Sequence, residues 1–194
     1  MKPRILCVVS AILLLAAAPV ARADDYAPVP GSNLQKLEFG TVPAAAAKGD
    51  IHEVERLLRA GRGSVNDVDG KGNAPLTYAA MHGDAALAKL LLDRGATVDF
   101  RDKLGNTAMH LAAQHGSTEV IKLLVAAKAA TDAPNREGVT PLMMAAGNGQ
   151  VAAVRLLLSL GADAKRQDFT GRDAQGWAAG KPTVLQALRS GRQG

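Results

Sequence analysis

Apolar residues return along this chain in two alternating textures. One is a leucine-rich stripe at i, i+3 and i+4: Leu87, Leu90 and Leu91, then Val120, Leu123 and Leu124, then Ala153, Leu156 and Leu157. That spacing places each set on one face of a helix. The other texture precedes each stripe and is shorter and smaller, with alanine pairs at Ala79–Ala80, Ala112–Ala113 and Ala145–Ala146. Both recur every 33 residues, most visibly in GNAPLTYAAMHG from Gly72, GNTAMHLAAQHG from Gly105 and GVTPLMMAAGNG from Gly138. A fixed period of that size predicts a stack of like helix–turn–helix units.

The polar residues mark where the helices start and stop. Thr107 and Thr140 precede the first helices of their units and can cap them, whereas Ala74 holds that place without a hydroxyl,. Pro75 and Pro141 follow at the first helical position, where a missing N–H costs nothing,. Gly83, Gly116 and Gly149 close the first helices, and Asp84 and Ser117 are candidate caps of the second, with Gln150 a poorer one,. Alanine permits close approach, so the first helices are expected to line the tight inner side of the stack and the leucine helices the outside. Gly95 and Gly161 end the second helices, but Lys128 stands at the equivalent place. A left-handed backbone there would cost lysine about 1 kcal/mol or more. The polar segments 98–107, 131–140 and 164–173 carry turn glycines at Gly105, Gly138 and Gly171 and read as projecting β-turn or hairpin fingers,.

Gly-Val-Thr-Pro-Leu at 138–142, Ala145-Ala146, Gly149, the leucine helix and Leu160-Gly161-Ala162-Asp163 together resemble the ankyrin repeat. The resemblance runs from about Ala44 to Leu188. It implies an all-α solenoid with three full repeats (72–104, 105–137, 138–170) and two capping repeats (41–71 and 171–190). The loop leaving the first cap, Gly61 to Gly72, is one residue longer than the others. Trp177 is expected in the core of the last cap, and Lys165, Arg166, Arg172, Lys181 and Arg189 on its solvated end.

The ends read differently. Lys2 and Arg4, the apolar run Ile5–Ala18 and then Ala21-Arg22-Ala23 have the layout of a signal peptide cleaved after Ala23,. Residues 24–40 read as a linker, from which Leu34, Leu37, Phe39 and Tyr26 are candidates to fold back on the first repeat,. Lys2, Arg4 and Arg22 leave with the leader, so the net charge of +5 falls to +2 and points to no nucleic-acid partner,. Cys7 leaves too, so no disulfide or thiolate site is expected,. An exported domain without disulfides or an Asn-X-Ser/Thr sequon suits a bacterial periplasm. A periplasmic or secreted monomer with no membrane attachment after cleavage is the expectation.

Candidate chemistry is sparse. No serine sits in a Gly-X-Ser-X-Gly setting, and Pro182 stands where a phosphate loop after Gly180-Lys181 needs a hydroxyl,. His82 and His115 share a repeat position, but Asn148 occupies the next one and is a poor ligand, so no metal is expected,. No enzyme activity and no cofactor are expected. The ankyrin resemblance implies instead a protein-binding module engaged through finger tips and inner helices. Carried over by position, those residues are Gly70, Lys71, Asn73, Met81 and His82; Arg101, Lys103, Leu104, Asn106, Gln114 and His115; Arg136, Glu137, Val139 and Asn148; Phe169 and Thr170. It also implies a buried, hydrogen-bonded His110. Leu104 and Phe169 are the expected apolar anchors, with Arg101 and Arg136 at the rim, and the mixed charge of the fingers (Lys71, Arg101, Lys103 and Arg136 against Asp69, Asp102, Glu137 and Asp168) singles out no partner,. The expected role is an exported adaptor or protective partner of another periplasmic protein; a secreted effector that binds a host protein is the alternative.

Overall fold

A computed structural model describes residues 40–190. The expected leader, and the linker with its four fold-back side chains, lie outside the described residues. Ten helices occur among the described residues, and no strand. They come in pairs: α1 (Val42–Ala47) and α2 (Ile51–Arg59), α3 (Pro75–His82) and α4 (Ala85–Asp93), α5 (Ala108–His115) and α6 (Thr118–Ala126), α7 (Pro141–Gly147) and α8 (Val151–Ser159), α9 (Ala174–Trp177) and α10 (Pro182–Ser190). Each pair packs internally, and each first helix packs on the first helices before and after it. The result is an ordered row α1–α3–α5–α7–α9, flanked by a more loosely joined row of second helices.

Small side chains explain the tighter row. Ala46, Ala79, Ala112, Ala145 and Ala178 stand 33 residues apart and are all fully buried. One methyl group per helix lets the backbones approach and loses no rotamer freedom. The residue before each helix keeps the same register: Thr41, Ala74, Thr107, Thr140 and Asp173. Thr41, Thr140 and Asp173 accept an amide N–H from three residues on, and Ala74 leaves that donor without a side-chain cap. The long first loop is compatible with this register because the stretch from the cap of α1 to the cap of α2, Thr41 to Asp50, is one residue shorter than its equivalent in the next unit, Ala74 to Asp84. The second row buries a ladder of its own, Leu57, Leu91, Leu124, Leu157 and Leu188, fully enclosed at every step.

Capping of the second helices departs from expectation at one place. Asp84 accepts from the Leu87 amide as expected, but Ser117 makes no cap bond. Its Oγ instead donates to the Ala80 carbonyl of the preceding unit at 3.5 Å, drawn there by the close approach of the inner row. A second set of bonds ties unit to unit below the fingers. Asn66 accepts from the Thr97 amide at 2.7 Å, Asp99 from Ala130 at 3.1 Å and Asp132 from Asp163 at 3.0 Å. The 31-residue step is constant, so one side chain per loop supplies the acceptor the next unit needs.

Lys128 does adopt a left-handed backbone, φ 65°, beside φ 81° at Gly95 and 88° at Gly161. It is the only non-glycine residue with positive φ among the described residues. The geometry is enforced by the amides of Lys128 and Ala129, which bond the carbonyls of Val125 and Leu124 and close the helix end,. We expect Lys128→Gly to remove a Cβ clash worth more than the added chain entropy, for a net gain of about 0.5–1 kcal/mol. That gain corresponds to a rise in Tm of about 2 °C, and an unchanged or lower Tm would contradict it. Ala112→Leu, in the middle of the inner row, should cost about 3 kcal/mol because neither neighbour can retreat. Urea unfolding of the two proteins measures that difference.

Candidate interaction surface

Four loops join the five helix pairs, and the same construction holds each of them. Asp69, Asp102, Asn135 and Asp168 occupy one repeat position. In each, Oδ1 accepts the amide two residues on, from Lys71, Leu104, Glu137 and Thr170, at 2.8–2.9 Å. The same atom accepts the amide four residues on, from Asn73, Asn106, Val139 and Arg172, at 2.8–3.0 Å. The residue's own amide donates back to that fourth residue's carbonyl. Each finger is therefore a turn closed around one side chain, the local geometry that Asp and Asn favour.

Asp69, Asp102 and Asp168, counted in the sequence among the mixed charges of the fingers, are thus structural members of the turns. The second carboxylate oxygen is also taken. Tyr78 Oη donates to Asp69 Oδ2, and Trp177 Nε1 donates to Asp168 Oδ2 at 2.9 Å. Both acids lie nine residues before the aromatic, so the first and last fingers are clamped to α3 and α9. Leu111 and Met144 hold that place in the middle units and have no such donor. There Asn106 replaces them: its Nδ2 donates to Asp102 Oδ2 at 3.1 Å, and its Oδ1 accepts Asn135 Nδ2 at 2.9 Å. The two middle fingers are clamped to each other. Burial opposes ionisation of Asp168, but the hydrogen bonds from Thr170, Arg172 and Trp177 outweigh it and hold the carboxyl well below the usual range,. Asp69 is lowered in the same way, burial being outweighed by Tyr78 and the turn amides.

Backbone bonds join finger to finger. The Arg136 amide donates to the Leu104 carbonyl at 3.1 Å, and the Phe169 amide to the Glu137 carbonyl at 3.0 Å. Gly105 and Gly138 are required for this. Both have positive φ, and a Cβ on them would lie 2.9 Å from the Arg136 nitrogen and 2.8 Å from the Phe169 ring,. Lys103 Nζ caps the Gly70 carbonyl at 2.8 Å, and Arg101 Nη1 reaches the carbonyls of Gly105 and Pro134 at 3.1 and 2.7 Å. Arg101 and Lys103 thus brace the fingers as well as facing solvent.

Of the residues carried over from the resemblance, the structure exposes Gly70, Lys71, His82, Arg101, Lys103, Leu104, His115, Arg136, Glu137, Asn148, Phe169 and Thr170. Asn73, Met81 and Gln114 are half-buried. Asn106 and Val139 are buried, and this corrects their assignment to the surface. Asn106 is the clamp just described; Val139 packs inside and offers its carbonyl to His110 Nε2 at 3.0 Å. Leu104 is 64% exposed and Phe169 80%, on alternate fingers. On the inner helices, Met81 and Gln114 share a column with Gly147, where a Cβ would meet the Trp177 ring at 2.8 Å. Trp177 is accordingly half-buried, packed against the core at its edge in the last repeat, with Arg172 stacked 4.5 Å from its ring centre. Among the described residues, no group of three or more His, Cys, Asp or Glu side chains could hold a metal ion.

The family model described as Ankyrin repeats (3 copies) matches residues 31–102 and 83–168, more than half of the chain. The chain belongs to the ankyrin repeat family. It is similar to the Ankyrin repeat-containing protein YIL001W of Saccharomyces cerevisiae, 47% identical over 70 residues, 36% of this chain and 13% of that protein. It is also similar to Palmitoyltransferase akr1 of Neurospora crassa, 31% identical over 91 residues, 43% of this chain and 12% of that protein. The chain therefore spans about an eighth of each relative's length. Ankyrin repeats are generally protein-interaction modules, typically without catalysis of their own.

His110 is the buried histidine of this ankyrin domain. A carbonyl only accepts, so the bond to Val139 puts the proton on Nε2 and leaves Nδ1 to accept from the Thr107 amide at 3.1 Å and its hydroxyl at 3.0 Å,. Burial pushes its pKa down to about 4, against 6.5 when free,. The unfolded chain therefore takes up the proton first as pH falls. The stability this neutral imidazole contributes is whole above pH 6.5 and is lost between 6.5 and about 4, a loss of about 3 kcal/mol,. We expect the stability gap between wild type and His110→Gln to narrow over that range in urea titrations at successive pH values. A constant gap would contradict it.

Proposed function

We propose that this chain is an exported, non-catalytic adaptor that holds or protects another protein, engaged through its finger tips. The observation that carries the reading is the pair Leu104 and Phe169, exposed on fingers whose other parts are rigidly bonded. Apolar side chains held out on stiff turns lose little entropy when a partner covers them. Export is supported by the sequence of residues 2–23, and a periplasmic setting by the lack of cysteine after residue 23,.

Tagged full-length protein expressed with its leader, followed by cell fractionation and mass spectrometry of co-purifying proteins, tests both halves. Leu104→Asp with Phe169→Asp should remove the captured protein while Tm stays within about 1 °C, since exposed substitutions of this kind cost about 0.5 kcal/mol or less. Undiminished capture by the double variant would overturn the surface assignment. Release into the medium in place of periplasmic retention would overturn the adaptor role and favour an effector.

A further inference from the structure

Resting on the reading of the fingers as the docking surface, we infer that their ridge accepts an extended acidic segment of a partner protein carrying two apolar side chains about 20 Å apart. The charge argument comes from which groups are already committed. Asp69, Asp102 and Asp168 have both carboxylate oxygens bonded within the fingers or to the helix below. Glu137 is the one exposed acid at the finger tips. Lys71 and Arg136 are exposed there too, and neither side chain has a hydrogen-bonding or ionic partner among the described residues. What the ridge offers a visitor is therefore an excess of free cations, Lys71 and Arg136 against Glu137, with the aspartates set behind them in the turns, although the bare count of charges on the loops is nearly balanced.

The spacing comes from the repeat. Lys103, Arg136 and Phe169 share one column of tips; Lys71, Leu104 and Glu137 share the next. Leu104 and Phe169 are two units apart, about 20 Å for helices packed about 8–10 Å from one another. Arg136 lies between them. An extended chain rises about 3.3 Å per residue, so two apolar residues six positions apart span the same distance. Carboxylates between them face Arg136, and those before the first face Lys71. A basic segment would meet the same anchors with like charge, which costs affinity.

The peptide ELEDEDELE has this pattern. Titrated into the isotope-labelled full chain, it should shift the amide resonances of residues 70–72, 103–105, 136–138 and 169–171. Lys71→Glu with Arg136→Glu should weaken binding about tenfold, as should the peptide EAEDEDEAE, and raising salt from 0.05 to 0.5 M should weaken it further. Lys71→Gln with Arg136→Gln, which only removes charge, should give an intermediate affinity and guards against misfolding of the reversal. No shift at millimolar ELEDEDELE, or equal shifts with KLKKKKKLK, would overturn the inference. If the peptide fails while a co-purifying protein is still lost on Leu104→Asp with Phe169→Asp, the partner chemistry falls and the adaptor reading stands. If the peptide binds and no protein is captured, the adaptor reading falls and the surface preference stands.

Discussion

The column Ala46, Ala79, Ala112, Ala145 and Ala178 is the constraint on which the remaining structure depends. Its methyl groups set how closely the first helices approach, and that separation sets the distance between successive loops. Only at this distance can the Arg136 amide reach the Leu104 carbonyl, or the Ser117 hydroxyl the Ala80 carbonyl. The shortened α1 and the lengthened loop after α2 show the priority: two local irregularities offset each other, and the column keeps its register.

The four fingers satisfy one requirement with three side-chain solutions. Every turn needs an acceptor for two amides, and Asp or Asn provides it. Every such side chain then has one more polar atom to satisfy. Tyr78 and Trp177 do so from the helix below, and Asn106 does so for two fingers together. Loss of one member of such a pair leaves a polar atom of the other without its partner, which costs stability,. Rigidity follows, and with it the presentation of Leu104 and Phe169 at fixed separation.

The segments that align with the two fungal relatives cover less than half of this chain and about an eighth of each relative, so the shared feature is the stacking unit. What differs from one such array to another is the set of side chains at tips and inner face. In this chain that set is weakly polar on the inner helices, where Trp177 fills the place left by Gly147. The tips carry Leu104 and Phe169 with the free cations Lys71 and Arg136 and one free acid, Glu137, which makes the fingers the better candidate for recognition.

Much of the architecture was legible in the residues. The 33-residue period, the leucine stripes, the alanine pairs and the turn glycines are local signals, and each reports a backbone or packing need met within one unit. The left-handed conformation at Lys128 could be anticipated because its equivalents are glycine. What the residues could not reveal were bonds between atoms far apart in sequence. Asn106 and Asn135 look like loop amides until they are seen to pair across two fingers, and Ser117 looks like a cap until the Ala80 carbonyl comes within reach. The finger acids count as surface charge in composition, yet folding commits their oxygens to neighbours nine residues away or closer. Periodicity determined that like units would stack, because it is a property of each unit alone. Tertiary structure decided which side chains remain available to a partner, because that depends on what the neighbouring unit has already bound.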